Sequence, residues 1–298
     1  MTMVSYAQNR EDVVLARAFL PEHVGFYVDV GASDPVVDSV TKHFYDRGWR
    51  GVNVEPATIG LKALTAARPD DVNLGVGLGA SPGEATFYEL PLQMTGCSTF
   101  SDEIADQYRG DGWDTTTRTV AISTLAALCE EHVGELTIDF LKLDVEGDEA
   151  EVLAGADFEH FRPRILVIEA TMPGTSIPSH ERWEPRVLSA GYRLTLFDGL
   201  NRFYVREEDA DLAPVLSIPA NVLDDYIAYP CLVWREEAAA ARSETRDVRD
   251  RAAFELAATR KELAHSQALL RDARAELTAT REALLGAVAD RPTSGAAA

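Results

Sequence analysis

Short apolar runs that stop at a glycine or an acid, each followed by a helix-like stretch, constrain the fold of this chain more than any other feature. Phe26-Tyr-Val-Asp-Val30 stops at Gly31, and Gly51-Val-Asn-Val54 stops at Glu55. Ile138-Asp-Phe-Leu-Lys-Leu143 stops at Asp144, and Arg164-Ile-Leu-Val-Ile168 stops at Glu169. Val72–Leu78 makes a further run, and helical stretches are expected at Val36–Arg47, Thr58–Ala67, Ser123–Glu131 and Glu149–Ala154. Strands alternating with helices build parallel βαβ units with right-handed crossovers. After Gly191 the character changes. Tyr192–Phe197 and Asn201–Val205 flank Asp198-Gly-Leu200, and Asp-Gly between alternating runs signals a hairpin. The expectation is an α/β fold: a mostly parallel sheet with helices on both faces, finished by an antiparallel C-terminal hairpin.

Composition breaks near Trp234. From Arg235 to Arg291 there is no proline and Gly286 is the one glycine, while Ala, Glu, Arg and Leu dominate. The chain is expected to divide into a catalytic-type domain at 1–235, a helical extension at 236–291 and a disordered tail at 292–298. Within the extension Leu256, Leu263, Leu270, Leu277 and Leu284 recur every seven residues, a heptad seam. With leucine at a, the d positions are Thr259, Ser266, Ala273 and Thr280, and Glu255–Arg260 and Glu276–Arg281 form g-to-e′ pairs. Two readings stay open: a weak coiled coil joining two copies as a parallel homodimer, or a solvated single helix held by i,i+4 charge pairs.

The formal net charge is −21, with 28 basic against 49 acidic residues among 298. Residues 236–298 carry 10 basic and 11 acidic side chains, so the acidity belongs to the globular part. Such a chain is not built to coat nucleic acid or an anionic membrane, which need clustered Lys and Arg. No apolar run approaches the roughly 18–20 residues of a membrane span, and Met1–Arg10 lacks the layout of a secretion signal. Cys97, Cys129 and Cys231 form neither a disulfide framework nor a CxxC pair, so a cytoplasmic protein is expected.

In an open parallel sheet, ligands sit beyond the carboxyl ends of the strands. Here those ends carry Asp29, Glu55, Asp144 with Glu146, and Glu169, and burying an unpaired carboxylate is costly. Gly31 permits close backbone approach to a ligand, but it stands alone rather than in GxGxxG, and Asp34 follows where a phosphate would be repelled. Glu55 lies 24 residues beyond Gly31, near the roughly 20-residue spacing at which an acid clasps ribose hydroxyls. Asp144, Glu146 and Glu169 allow three roles: Mg²⁺ ligands, a metal-free carboxylate base, or, for Glu146, a cap on the following helix. His43, His160 and His180 lie away from strand ends and are weaker base candidates. Tyr108, Trp113 and Trp183 are candidate walls for a sugar face or, equally, packed aromatics. The absence of G-x-S-x-G argues against a serine hydrolase.

Five elements in order resemble the FkbM family of class I methyltransferases. They are Ser5-Tyr-Ala-Gln-Asn-Arg-Glu-Asp12, Phe26–Ser33, Gly51-Val-Asn-Val-Glu-Pro56, Gly96-Cys-Ser-Thr-Phe100, and Phe140–Glu149 followed by Ile165–Glu169. The likeness covers most of residues 5–205. It departs at Phe100, where Leu is usual, and at Asp148, which sits where the family varies. The resemblance implies a Rossmann-like fold and S-adenosylmethionine-dependent transfer of a methyl group to oxygen, with sugars, lipids and natural products as acceptors. It places Asp29, Gly31, Ser33 and Glu55 on the cofactor, with Gln8 and Glu11 closing over its methionine end. Asp144, Glu146 and Glu169 remain the catalytic candidates. The alternatives are an inactive methyltransferase-fold binding module and a nucleotide-cofactor enzyme of another class.

Overall fold

A computed structural model describes residues 2–289, except the side chains of 92, 93, 95 and 285–289. The expected tail at 292–298 lies outside the described residues. The chain forms two compact units, meeting in sequence between Leu232 and Val233.

In the first unit the strands are β1 (Met3–Ser5), β2 (Phe26–Val30), β3 (Arg50–Val54), β4 (Val72–Leu74), β5 (Gly77–Leu78), β6 (Gly83–Glu89), β7 (Thr116–Ser123), β8 (Phe140–Leu143), β9 (Ile165–Glu169), β10 (Tyr192–Phe197), β11 (Asn201–Arg206) and β12 (Tyr226–Ala228). The helices are α1 (Glu11–Ala16), α2 (Lys42–Asp46), α3 (Thr58–Ala67), α4 (Asp102–Gly110), α5 (Leu125–His132), α6 (Glu149–Ala154), α7 (Glu184–Ser189) and α8 (Ala213–Leu216); α9 (Tyr229–Ala289) begins in this unit and runs through the second.

The main sheet has seven strands in the order β10-β11-β9-β8-β2-β3-β4. From β9 through β4 the pairs are parallel, while β11 runs antiparallel to both β9 and β10. Alternation along the central strands sorts residues between two cores. Val28, Val30, Leu141, Leu143, Leu166 and Ile168 pack with Leu125, Leu128, Val152 and Val187 of α5, α6 and α7. Tyr27, Phe140, Ile165, Val167 and Phe203 pack on the other face with Val14, Leu15, Phe44 and Leu216 of α1, α2 and α8. Helices therefore cover both faces. The hairpin forms as expected, with Asp198 Oδ1 accepting from the amides of Leu200 at 2.9 Å and Asn201 at 2.7 Å across a left-handed Gly199.

Two expectations are corrected. The helix expected over Val36–Arg47 is confined to Lys42–Asp46. Asp34 Oδ1 accepts from the amides of Val36 and Val37, both at 2.8 Å, and Asp38 is left-handed at φ 56°, so no helical ladder starts before Thr41. The run Val72–Leu78 breaks into β4 and β5, which belong to different sheets. Beyond the Gly96–Phe100 loop the chain forms α4, capped by Ser101, and β7. β7 is the centre of a second sheet, β5-β7-β6, absent from the sequence reading, as is the parallel β1–β12 pair.

Candidate active site

Strand order fixes where a ligand can enter. The chain winds outward from β2 to β4 on one side and from β8 toward the hairpin on the other. Such a reversal leaves a crevice at the carboxyl ends. The crevice is there, about 440 Å³ in volume, within the ~300–1,000 Å³ typical of small-molecule sites. Gly31 and Ser33 after β2, Glu55 after β3, and Asp144 and Glu146 after β8 all line it, as does Gln8. Val54, Leu78, Phe87 and Phe100 give it an apolar wall. Phe100, the departure from the family's leucine, packs on Phe87 at 4.7 Å between ring centroids.

Gly31 joins β2 to its neighbours through backbone alone. Its amide donates to the Val54 carbonyl at 2.9 Å, and it sits at φ 80°. A Cβ here would lie 1.7 Å from the carbonyl oxygen of Asp144. Gly31→Ala therefore combines a left-handed backbone with a backbone collision and is expected to destabilise the fold by more than about 1 kcal/mol. Urea denaturation checks this, and an unchanged midpoint would contradict the tight β2–β8 junction.

Glu55 is buried beside that junction. Its Oε2 accepts from the Ser33 amide at 2.7 Å and its Oε1 from the Ala57 amide at 2.6 Å. Burial pushes its carboxyl up to about 7, against the pull of those two amides. Both oxygens retain acceptor capacity for hydroxyls.

Asp29 and Glu11 do not line the crevice; they brace it. Asp29 is 1% exposed. Its Oδ2 accepts from Thr41 Oγ1 at 2.8 Å, and its Oδ1 lies 3.5 Å from Lys142 Nζ. Lys142 also donates to the Gly31 carbonyl at 2.5 Å and lies 3.6 Å from Asp144 Oδ2. Burial alone would lower the lysine's pKa, but Asp144, Asp29 and Glu55 outweigh it and hold the ammonium charged. Arg68, buried behind Thr41, donates to Thr41 Oγ1, the Pro35 carbonyl and Ser39 Oγ, each at 2.6 Å, fixing the segment that follows Ser33. Glu11 accepts from Asn201 Nδ2 at 2.6 Å and from the Asn9 amide at 2.9 Å, tying α1 to β11 next to Gln8. Sequence reasoning missed Lys142, Thr41 and Arg68. A lysine inside the apolar run Phe140-Leu-Lys-Leu143 was the available signal.

At the end of β8 the carboxylates divide their work. Glu149 accepts from the amides of Val145 and Gly147, both at 3.2 Å, closing the turn that leads into α6. The N-cap of α6 is Asp148, where no side-chain capping bond is made, so Glu146 is not the cap. It is held at φ 56°, and its carbonyl accepts from Thr99 Oγ1 at 3.0 Å, which ties it to the Gly96–Phe100 loop. Glu146 lines the crevice, and no side-chain hydrogen bond among the described residues ends on its carboxylate. Burial, then repulsion from Asp144 and Glu149, pushes Glu146 well above the carboxylate range. Glu169, buried at the end of β9 and off the crevice lining, is pushed up in the same way by burial and by Asp144 and Glu146. Its Oε2 has no partner among the described residues.

Among the described residues no three His, Cys, Asp or Glu side chains are arranged to hold a metal ion. Asp144, Glu146 and Glu169 thus do not form the ligand set considered for Mg²⁺. The histidines stand apart: none lines the crevice, and His43 is lowered to about 4 by burial and by Arg47. Trp183 is no acceptor wall. Its ring is 3% exposed, in the core against Tyr204. Trp113 is 38% exposed and does not line the crevice.

Fold and crevice together give an α/β domain with a cavity of small-molecule size at its switch point. The model of the FkbM methyltransferase domain matches residues 29–194, more than half of the chain. The chain belongs to this family and is a methyltransferase. A search among curated proteins finds no match. The family suggests S-adenosylmethionine as methyl donor, and the residues present fit it. Among the described residues, Asp34, Asp38, Glu55, Asp144, Glu146 and Asp148 line the crevice against one base, Lys142, whose charge is already engaged. That balance favours a cation and repels a polyphosphate.

Proposed function

We propose that this chain is an S-adenosylmethionine-dependent O-methyltransferase acting on a hydroxyl of a sugar, oligosaccharide or glycolipid. The observation that carries the reading is the acid-lined crevice where the winding of the sheet reverses, with Glu55 and Glu146 on its wall. The fold is read as Rossmann-like, with residues 1–235 as the catalytic domain. Glu55 would hold the ribose hydroxyls, Gly31 and Ser33 the floor beside them, and Gln8 the methionine end. Asp29 and Glu11 act at one remove, through Lys142 and through the docking of α1.

When bound, the cofactor supplies an electrophilic methyl group on a cationic sulfur. The protein aligns the acceptor and takes its proton. Glu146 is the base: partner-free, on the crevice wall, and raised toward the pH at which a carboxylate accepts protons effectively. Positive charge bound nearby draws its pKa back down and readies it. Asp144 and Glu169 set its field. The Gly96–Phe100 loop, whose Cys97 and Ser98 line the crevice, is read as meeting the acceptor. The acid excess disfavours polyanionic acceptors. No helix among the described residues is long and apolar enough to cross a membrane. Three free thiols suit a reducing cytoplasm, where the reading places the enzyme.

The test is transfer of labelled methyl to a panel of neutral hydroxylated glycans and glycolipids. Label in a base-stable ether on a sugar is the expected result. Cofactor binding without transfer to any acceptor would favour a binding module instead.

A further inference from the structure

From Val233 onward the chain is one continuous helix, the body of α9, which runs to Ala289. An isolated helix gains little from propensity alone, and most helical stability in proteins comes from packing an apolar face. Here that face is bare: Leu256, Leu263, Leu270, Leu277 and Leu284 are all at least half exposed. They stand at the a positions of one seam, with Thr259, Ser266, Ala273 and Thr280 at d. Small d residues allow close approach of a second helix. The seam starts at Ala252, since the preceding a position is Arg249.

The flanking charges choose the partner and its direction. The g positions are Glu255, Glu262, Leu269 and Glu276; the e positions are Arg260, Gln267, Arg274 and Arg281. In a parallel pair, g of one helix faces e of the next heptad on the other, so Glu255 meets Arg260 and Glu276 meets Arg281, twice each by symmetry. In an antiparallel pair, g faces g and e faces e, which sets Glu against Glu and Arg against Arg. The pattern is self-complementary only in the parallel, in-register arrangement.

We propose that the face of α9 spanning 252–284 is the interface for a second copy of this same chain, in a parallel two-stranded coiled coil. The inference is independent of the assigned reaction and is read out without an activity assay.

The experiment uses the full chain with Cys231→Ser, to remove an exposed thiol. Single cysteines are placed near opposite ends of the seam, as Thr259→Cys and as Thr280→Cys. Equivalent d residues face each other at every layer of a parallel dimer, whereas in an antiparallel dimer these two positions are held apart from their own copies. Sedimentation equilibrium should give twice the chain mass, and mild oxidation should cross-link both variants to dimers. The variant Leu263→Asp/Leu277→Asp, altering only exposed positions, should sediment as a monomer. A monomeric parent, a mass above two chains, a cross-link at fewer than both positions, or a dimer surviving the double aspartate change would each overturn the proposal.

Discussion

Glu146→Gln is expected to lower kcat by about 10²–10⁴-fold, the contribution of a positioned general base, while leaving the affinity for S-adenosylmethionine within about 2-fold of the parent. The split follows from where the residue sits. Glu146 lines the crevice, but its carboxylate braces nothing among the described residues, because the turn into α6 is closed by Glu149 and the link to Thr99 uses the Glu146 carbonyl. Glutamine keeps the size and loses the proton acceptor. The pH profile gives a second readout. A base must be ionised to act, and burial with repulsion from Asp144 and Glu149 raises Glu146 above the ordinary carboxylate range. In the parent, kcat should therefore rise with pH on a limb lying above that range, and the limb should vanish in Glu146→Gln. Equal losses of cofactor affinity and turnover, or a limb that persists in the variant, would show that Glu146 supports the site and does not take the proton.

Lys142→Met should be the most destabilising change that leaves the apolar core filled. The ammonium bridges the ends of two neighbouring strands, through the Gly31 carbonyl on one side and Asp144 on the other, and lies against the buried Asp29. Removing it leaves Asp29, 1% exposed, with an uncompensated charge and a single hydroxyl donor, Thr41. Breaking a buried pair by deleting one partner costs about 3–5 kcal/mol, and a fall of that size in unfolding free energy is expected. The double variant Asp29→Asn/Lys142→Met should recover more than half of the loss, because the stranded charge is gone. Losses that merely add would mean that the two residues do not stabilise the fold as a pair.

The central part of the fold was legible because it is local. β2, α3, α6 and both arms of the hairpin carry their own periodicity and stop signals, so their bounds could be read from the chain. The segment 36–41 was not, because its helical composition is overruled by the Asp34 turn and the left-handed Asp38. The second sheet escaped because its parallel β5–β7 pair joins Gly77 and Leu78 to residues 122–123. The site divides in the same way. Acids at strand ends were visible as anomalies, since an unpaired buried carboxylate is disfavoured. Which of them faces the crevice was not. Asp29 lies inside β2 on the face it shares with Tyr27, and it meets Lys142 from 113 positions away only because β2 pairs with β8. Glu146 and Glu149 are indistinguishable in composition; the left-handed turn at Glu146 gives one the crevice and the other the amides of the turn before α6.

Calorimetric titration of the full chain with S-adenosylmethionine, alongside Glu55→Ala and with NAD as the comparison ligand, most directly probes whether the acid-lined crevice is a methyl-donor site. Saturable binding near one molecule per chain is expected for the parent, at least tenfold weaker binding for Glu55→Ala, and no heat of binding from NAD. Absence of binding in a folded parent, undiminished affinity in the Glu55 variant, or comparable binding of NAD would contradict the assignment of this crevice.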